Sequence, residues 1–449
     1  MFQYAKTILF HHSLIMNPPV IWAGYKISNP QWSVGLSLAY IPLLAILAKT
    51  IFLKDISIQE IPYRPELMFN PQLLDNLPYR YSSILNPVVT AISVSILYLL
   101  CIELDNSKRK ASTIALIFGL ASPAAVYAKF DFAQPLASLF LLLTFLFFLR
   151  ARKRHDILHL SMAGFSLGLA ILARSELLIL APILVVAGCL GSARDNTSNR
   201  PYPDQILKGL AGFGIPLFSM ILLNQAIAYL KFGSWFNSGY NPSWFDPHIK
   251  HYMIALIGNL VSPGKGILFF FPLSLASMFG IQKLLKTDRW FATCLLLSIA
   301  VLFLFYPIWL YWDAGQCWGP RFLVPILPYL SLLGILSLPN MPDRFNTLTI
   351  GLLVLLGALV ALQGLLFDFL SFYGPRQRPE QFGVSVDHFS FSDSPIFSGW
   401  KGIFQSTSYD IRWLNPSTGT HNVIVVSVIA LFSIPVLTKI WLNFFRRNR

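Results

Sequence analysis

The sequence predicts an all-α fold, a polytopic transmembrane helical bundle of about 11 to 12 membrane segments with extracytoplasmic juxtamembrane helices and loops. Three observations predict it. Only 12% of the 449 residues are charged while 55% are hydrophobic, and the mean hydropathy is +0.59. Apolar stretches of roughly 20 residues, enough helix to cross a hydrocarbon core about 30 Å thick, recur along the chain. Lys and Arg fall in short runs between those stretches.

In chain order the apolar periods predict helices near 83–103, 112–128, 132–150, 157–173, 176–190, 206–230, 263–284, 290–311, 321–338, 346–366 and 423–443. The stretch 32–53 is apolar enough either to span or to dip into the interface. Gly and Pro inside these segments would break soluble helices, but neighbouring helices satisfy the freed backbone groups in a bundle. The chain divides into residues 1–82 (extracytoplasmic helices and loop), a bundle over 83–366, an extracytoplasmic loop over 367–422, and a last span with a basic tail over 423–449.

Orientation follows from the basic residues, which stay on the cytoplasmic side. Lys108 to Lys110, the run from Arg150 to Arg154, Arg194, Arg200, Lys208, Lys283, Lys286, Arg289, Arg344 and the C-terminal arginines mark cytoplasmic connections. The turn 129–131, the turn at Arg174 and the loops 231–262, 312–320 and 367–422 are poor in basic residues and face outward. The net charge of +14 is therefore mostly topological, which excludes a nucleic-acid partner and makes membrane lipids the chain's surroundings. The C-terminus is cytoplasmic in this reading, and a bacterial inner or plasma membrane is the expected location.

Cys101, Cys189, Cys294 and Cys317 are scattered, with neither a disulfide framework nor zinc spacing. Residues 1–16 lack the long apolar core and cleavage site of a signal peptide, and no Walker or dinucleotide motif occurs.

Polar groups are costly at membrane depth, so those at helix ends on one side point to function. "VYAKFDFAQPLAS" carries Lys129, Asp131 and Gln134; "LARSELLILAP" carries Arg174 and Glu176. "SPGKGILFFFP" sets Lys265 between glycines at a helix start, where an anion is favoured. "WDAGQCWGPRFLVPILP" adds Asp313 and Arg321. Together these turns offer a carboxylate base and a clamp for an anion. Each has a plainer alternative: Arg174 and Glu176 pair with each other, Lys265 only opens a helix, and the tryptophans form an interfacial belt. Asp246, His248 and His251 in "FDPHIKHY" could hold a divalent cation, against a purely interfacial placement.

The segments "ASPAAVYAKFDFAQPLASLFLLL", "AGFSLGLAILARSELLILAP", "FGSWFNSGY", "NLVSPGKGILFFFP" and "CWGPRFLVPILPYLSLL", in this order, resemble the GT-C superfamily of polytopic membrane glycosyltransferases. The nearest likeness is to protein mannosyltransferases and the lipid A aminoarabinose transferase, over roughly residues 1–340. The resemblance implies transfer of a sugar from a polyprenyl-phosphate carrier to a hydroxyl or amine of a glycan, lipid or protein acceptor on the extracytoplasmic face, with inversion. Asp131 matches the family's second acidic position and is the expected catalytic residue. Lys265, Arg321 and Arg174 would hold the lipid phosphate, with Lys129, Gln134, Glu176 and Asp313 in support.

The family's first transmembrane helix and its acidic motif have no counterpart here. Residues 1–19 and 29–47 resemble the juxtamembrane segments that follow that motif, which would make 1–82 external. A start codon assigned too far downstream and a genuine loss, leaving an inactive relative, are the two explanations. Asp55, Glu60, Glu66 and Asp75 match no family motif. The loop 367–422 is expected to cap the outer cavity and influence acceptor choice; deleting 380–410 without changing acceptor use would refute that. A transporter or flippase for a lipid-linked glycan is the competing reading, but the sequence lacks its internal repeat and midplane charges.

Overall fold

The computed structural model describes residues 20–22, 25–27, 85–130, 132–192, 203–236, 244–338, 343–367, 369–373 and 387–404. The segments expected at 32–53 and 423–443, most of 1–82, Arg194, Arg200 and the basic tail lie outside the described residues. Two three-residue strands, β1 (Val20–Trp22) and β2 (Tyr25–Ile27), pair antiparallel with Val20 opposite Ile27. The other described elements are helical.

In order these are α1 (Leu85–Glu103), α2 (Lys108–Leu120), α3 (Pro123–Ala128), α4 (Gln134–Arg154), α5 (Ile157–Ala173) and α6 (Ala181–Ser192). Then come α7 (Pro203–Gly209), α8 (Ile215–Phe232), α9 (Ile249–Val261), α10 (Ile267–Phe270), α11 (Ser274–Thr287) and α12 (Arg289–Phe305). The last are α13 (Leu327–Leu336), α14 (Asp343–Leu366), α15 (Phe369–Tyr373) and α16 (Pro395–Phe404). Among the described residues five helices are long and apolar enough to cross a membrane: Leu85–Glu103, Gln134–Arg154, Ile206–Phe232, Arg289–Ile308 and Thr347–Leu366. The chain is an all-α integral membrane protein.

Several of the expected continuous helices are broken at prolines. Ser122 closes α2 by donating to the Phe118 carbonyl at 2.6 Å, and its oxygen caps α3 by accepting from the Ala124 N–H at 3.2 Å. Pro123 then opens α3, where its missing N–H costs nothing. Pro272 separates α10 from α11, and Pro325 sits in a 3₁₀ turn, Arg321–Ile326, ahead of α13. Hydropathy registers the apolar run but not these breaks. Helix α9 lies inside the segment 231–262, read from the sequence as a loop, because its 13 residues are too few to span.

Lipid offers helices no hydrophobic drive to associate, so close van der Waals packing does the work. Gly280 of α11 lets the Leu333 carbonyl of α13 approach until an added Cβ would stand 1.9 Å from its oxygen. Gly164 of α5 admits the Phe213 carbonyl in the same way, opposite the π-turn Leu210–Gly214 that joins α7 to α8. Around α4, Leu142, Phe145, Leu146 and Leu149 are buried with Leu97 and Leu100 of α1 and Ala163 and Leu167 of α5.

The bundle's two ends differ in chemistry. At one, Glu103 receives Arg150 at 2.7 Å, Asp288 receives Arg152, and Lys153 lies 3.5 Å from Asp105. This basic end gathers the C-termini of α1 and α4 and the N-terminus of α12. The turns 126–134, 174–176, 262–266 and 309–322 meet at the other.

Candidate functional site

The turn after α3 is held from several sides. Tyr127 donates its hydroxyl to the Trp318 carbonyl at 2.8 Å. Lys129 Nζ donates to the Leu365 carbonyl at 2.8 Å and stands 4.8 Å over the Phe130 ring. The Asn86 side-chain amide donates to the carbonyls of both Phe130 and Phe132. Asp131, the expected base, lies outside the described residues, but its neighbours are fixed by these contacts. Gln134 begins α4 with 1% exposure, and neither of its polar side-chain atoms has a partner. Thr90 and Ser138, whose hydroxyls also lack partners, line a small cavity below it with Ser93.

The second turn starts where α5 ends at Ala173. Arg174 makes an ion pair with Glu176 within a 3₁₀ turn, as the plainer alternative foresaw. Its guanidinium also stands 5.5 Å over the Phe322 ring, while the second carboxylate oxygen of Glu176 is buried without a partner. Arg321 approaches the same ring from its own backbone, 5.4 Å from Phe322, and lies 4.9 Å over Phe132. Phe322 stacks on Tyr306 at 4.9 Å and 12°. Two guanidinium groups thus share one aromatic ring, beside the residue that follows Asp131. Among the described residues Arg321 has ring partners but no carboxylate, and its Nε is buried without a hydrogen bond.

Lys265 is fully buried. Its ammonium donates to the Gly315 carbonyl at 2.7 Å and the Cys317 carbonyl at 2.9 Å, lies 3.1 Å from Cys317 Sγ, and stands over the Tyr373 ring. These contacts occupy the donors that were expected to meet a phosphate, so in this arrangement Lys265 braces the loop from Trp312 to Gly319. The loop needs bracing: Ala314, Gly315 and Gly319 all have φ near +60°, and for Ala314 that is strained.

Asp313 in the same loop is 7% exposed and accepts from His388 Nε2 at 3.1 Å. Burial pushes its carboxyl up, but the His388 hydrogen bond and the nearby charges of Lys265 and His388 outweigh that and hold it below the usual carboxylate range. His388 was invisible to sequence reasoning, because its partner is 75 residues away and its segment shows no period. A polar residue in a Ser- and Asp-rich stretch gives no local signal of burial.

Asp246 accepts from the His248 backbone N–H at 3.0 Å and from its ring at 2.6 Å, which together hold its carboxyl low. His251 Nε2 donates to the Trp309 carbonyl at 2.9 Å, where residues 244–246 run beside 308–310. No group of three His, Cys, Asp or Glu among the described residues is arranged to hold a metal ion.

The structure therefore joins Arg174, Glu176 and Arg321 around Phe322. Lys265 and Asp313 meet in a second cluster with His388, linked to Arg321 by the short segment 313–321. Lys129 and Gln134 flank the first cluster through the turn at Phe130 and Phe132. Asp246, His248 and His251 sit beside Trp309, whose ring lies 6.2 Å from Phe322.

Residues 80–219 match the family described as dolichyl-phosphate-mannose-protein mannosyltransferase. No curated protein matches the chain by sequence. The archaeal oligosaccharyltransferase AglB from Archaeoglobus fulgidus, solved with an inhibitory peptide and a dolichol-phosphate, is similar at 14% identity and a TM-score of 0.49. That similarity covers 80% of this chain and 51% of AglB, so the chain spans about half of that protein's length. ArnT from Cupriavidus metallidurans bound to undecaprenyl phosphate is similar at 12% identity and a TM-score of 0.46, over 98% of this chain and 70% of ArnT. The family match falls on the segments 121–143 and 163–182 that carry Lys129, Asp131, Gln134, Arg174 and Glu176.

Proposed function

We propose that the chain transfers a sugar from a polyprenyl-phosphate donor to an acceptor hydroxyl or amine at the motif end of the bundle, and that this end faces away from the cytoplasm. The observation that carries the reading is the pair of guanidinium groups on Phe322, one balanced by Glu176 and the other without a carboxylate among the described residues. A guanidinium fork matches a phosphate monoester or diester, and aromatic walls keep the site poor in water.

In the proposed step the bond between the anomeric carbon and the phosphate oxygen breaks, its electron pair leaving with the polyprenyl phosphate. Arg321, with Arg174, stabilises the charge that gathers there. The acceptor oxygen or nitrogen forms the new bond from the opposite face of the sugar, which inverts the anomeric centre. Asp131 takes the acceptor proton as general base. Lys129 and Asn86 fix the turn that carries it. Lys265 acts here through the loop it braces. The basic end is cytoplasmic in this scheme, the C-terminus with it, and a bacterial inner or plasma membrane is the proposed setting.

The test uses full-length protein in proteoliposomes with a polyprenyl-phosphate sugar and a mixed acceptor pool. Glycosylated product supports the reading. Movement of the lipid between leaflets without product would make the protein a carrier, and binding alone would make it a catalytically silent relative.

A further inference from the structure

His388 lies in a segment, 387–404, that packs onto the motif end through four separate contacts. Its imidazole meets Asp313, its carbonyl accepts from the Gly264 N–H at 3.0 Å, Ser394 donates to the Pro263 carbonyl at 2.6 Å, and Gln363 donates to the Ile396 carbonyl. Gly264 keeps this contact close, since an added Cβ would stand 3.0 Å from both His388 Cα and Nδ1 and the segment would have to shift by a few tenths of an ångström. Trp312 closes the other side of the ring at 5.4 Å, edge-on.

Because a carboxylate only accepts, the Asp313 contact places a proton on His388 Nε2. His388 is 9% exposed, and its Nδ1 is buried with no hydrogen-bond partner. An orphaned buried nitrogen costs stability, so the ring is not there for its own sake. The charged and titratable groups facing it are Asp313 and, through Asp313 and the Cys317 carbonyl, Lys265, with Tyr373 and Cys317 beyond. Eight residues after Asp313, on the strained loop that these groups hold, comes Arg321.

We infer that His388 is a positioning residue for the donor site: its Nε2–H fixes Asp313, and through the loop 313–321 it sets the guanidinium of Arg321 for the lipid phosphate. The inference rests on the proposed role of Arg321. It makes the segment around His388 part of the donor site, joined to it through the buried cluster.

The experiment compares H388Q, H388N, H388A and G264A in the full chain with undecaprenyl phosphate as the probe. Glutamine carries its amide nitrogen where imidazole carries Nε2, and asparagine, one methylene shorter, does not. Expected is wild-type affinity within about threefold for H388Q, and a Kd raised about tenfold or more for H388N and H388A, the scale on which misplaced groups act. G264A displaces the ring and should resemble H388N. Equal affinity in the Gln and Asn variants, whether both high or both low, overturns the inference. Should H388A not accumulate, the Gln and Asn pair alone decides it. Hydrogen exchange of the 313–321 amides in the absence of lipid separates this inference from the function it rests on. Faster exchange in H388N than in H388Q supports the link even if the wild type binds no polyprenyl phosphate, whereas equal exchange refutes it even if R321A abolishes binding.

Discussion

Three cations at the basic end of this bundle and four at the motif end are held in different ways. At the basic end Arg150, Arg152 and Lys153 each face a carboxylate, and Asp288 also caps α12 by accepting from the Phe291 N–H. These charges are spent on each other and on helix ends. At the motif end the cations sit on aromatic rings and carbonyl oxygens. Lys129 and Lys265 are tied to the backbone of distant segments, Arg174 has Glu176, and Arg321 has only rings among the described residues. A membrane protein can retain a cation for topology or for a ligand, and the partner it is given tells the two apart.

The sharpest way to break that contrast is at Asp131, which the reading makes the base. D131N should lower kcat by about 10² to 10⁴ while leaving undecaprenyl phosphate affinity near wild type. Comparable activity in the variant, measured as product per enzyme, would move the base elsewhere.

Next in size is Arg321. R321A should raise the Kd for undecaprenyl phosphate about 10- to 100-fold, the loss of one or two charge-assisted hydrogen bonds, and R321K should fall between because it keeps the charge without the fork. Full recovery with lysine would show that only charge matters. A smaller effect is expected from packing: G280A puts a methyl into the Leu333 carbonyl, and a thermal melt should show lost stability without a change in the affinity of the protein that remains folded.

Asp313 gives the contrast a pH dependence. Its carboxyl is held low in the folded chain, so the stability it contributes is complete above the ordinary aspartate pKa of about 4 and is lost as the pH falls through the lower folded value. D313N should flatten that acid-side slope, and an unchanged slope would place the loss in other carboxylates. The smallest effect belongs to the basic end. R150A should cost about 1 kcal/mol or less, since both partners are partly exposed, with no change in lipid affinity.

How much of this was legible in sequence depends on the range of the interaction concerned. The spans at α1, α4, Ile206–Phe232, α12 and α14 follow from hydropathy, because a long apolar helix declares itself within its own length. The breaks at Pro123, Pro272 and Pro325 were inside correctly located apolar runs, where composition cannot say whether a proline kinks a helix or starts a new one. Arg174 and Glu176 were readable as neighbours two residues apart. That Arg174 and Arg321 share Phe322 was not, since nothing local connects positions so far apart. Lys265 shows the limit from the other side: its Gly-flanked position at a helix start suggested an anion, but what its ammonium meets is the chain's own loop. His388 had no signal at all.

The most direct test of the account measures undecaprenyl phosphate binding to wild type, R321A and R150A side by side in the same detergent. The account predicts weakened binding for R321A alone, with R150A indistinguishable from wild type. Equal losses in both, or none in either, would contradict the claim that Arg321 at the motif end is kept for a lipid phosphate.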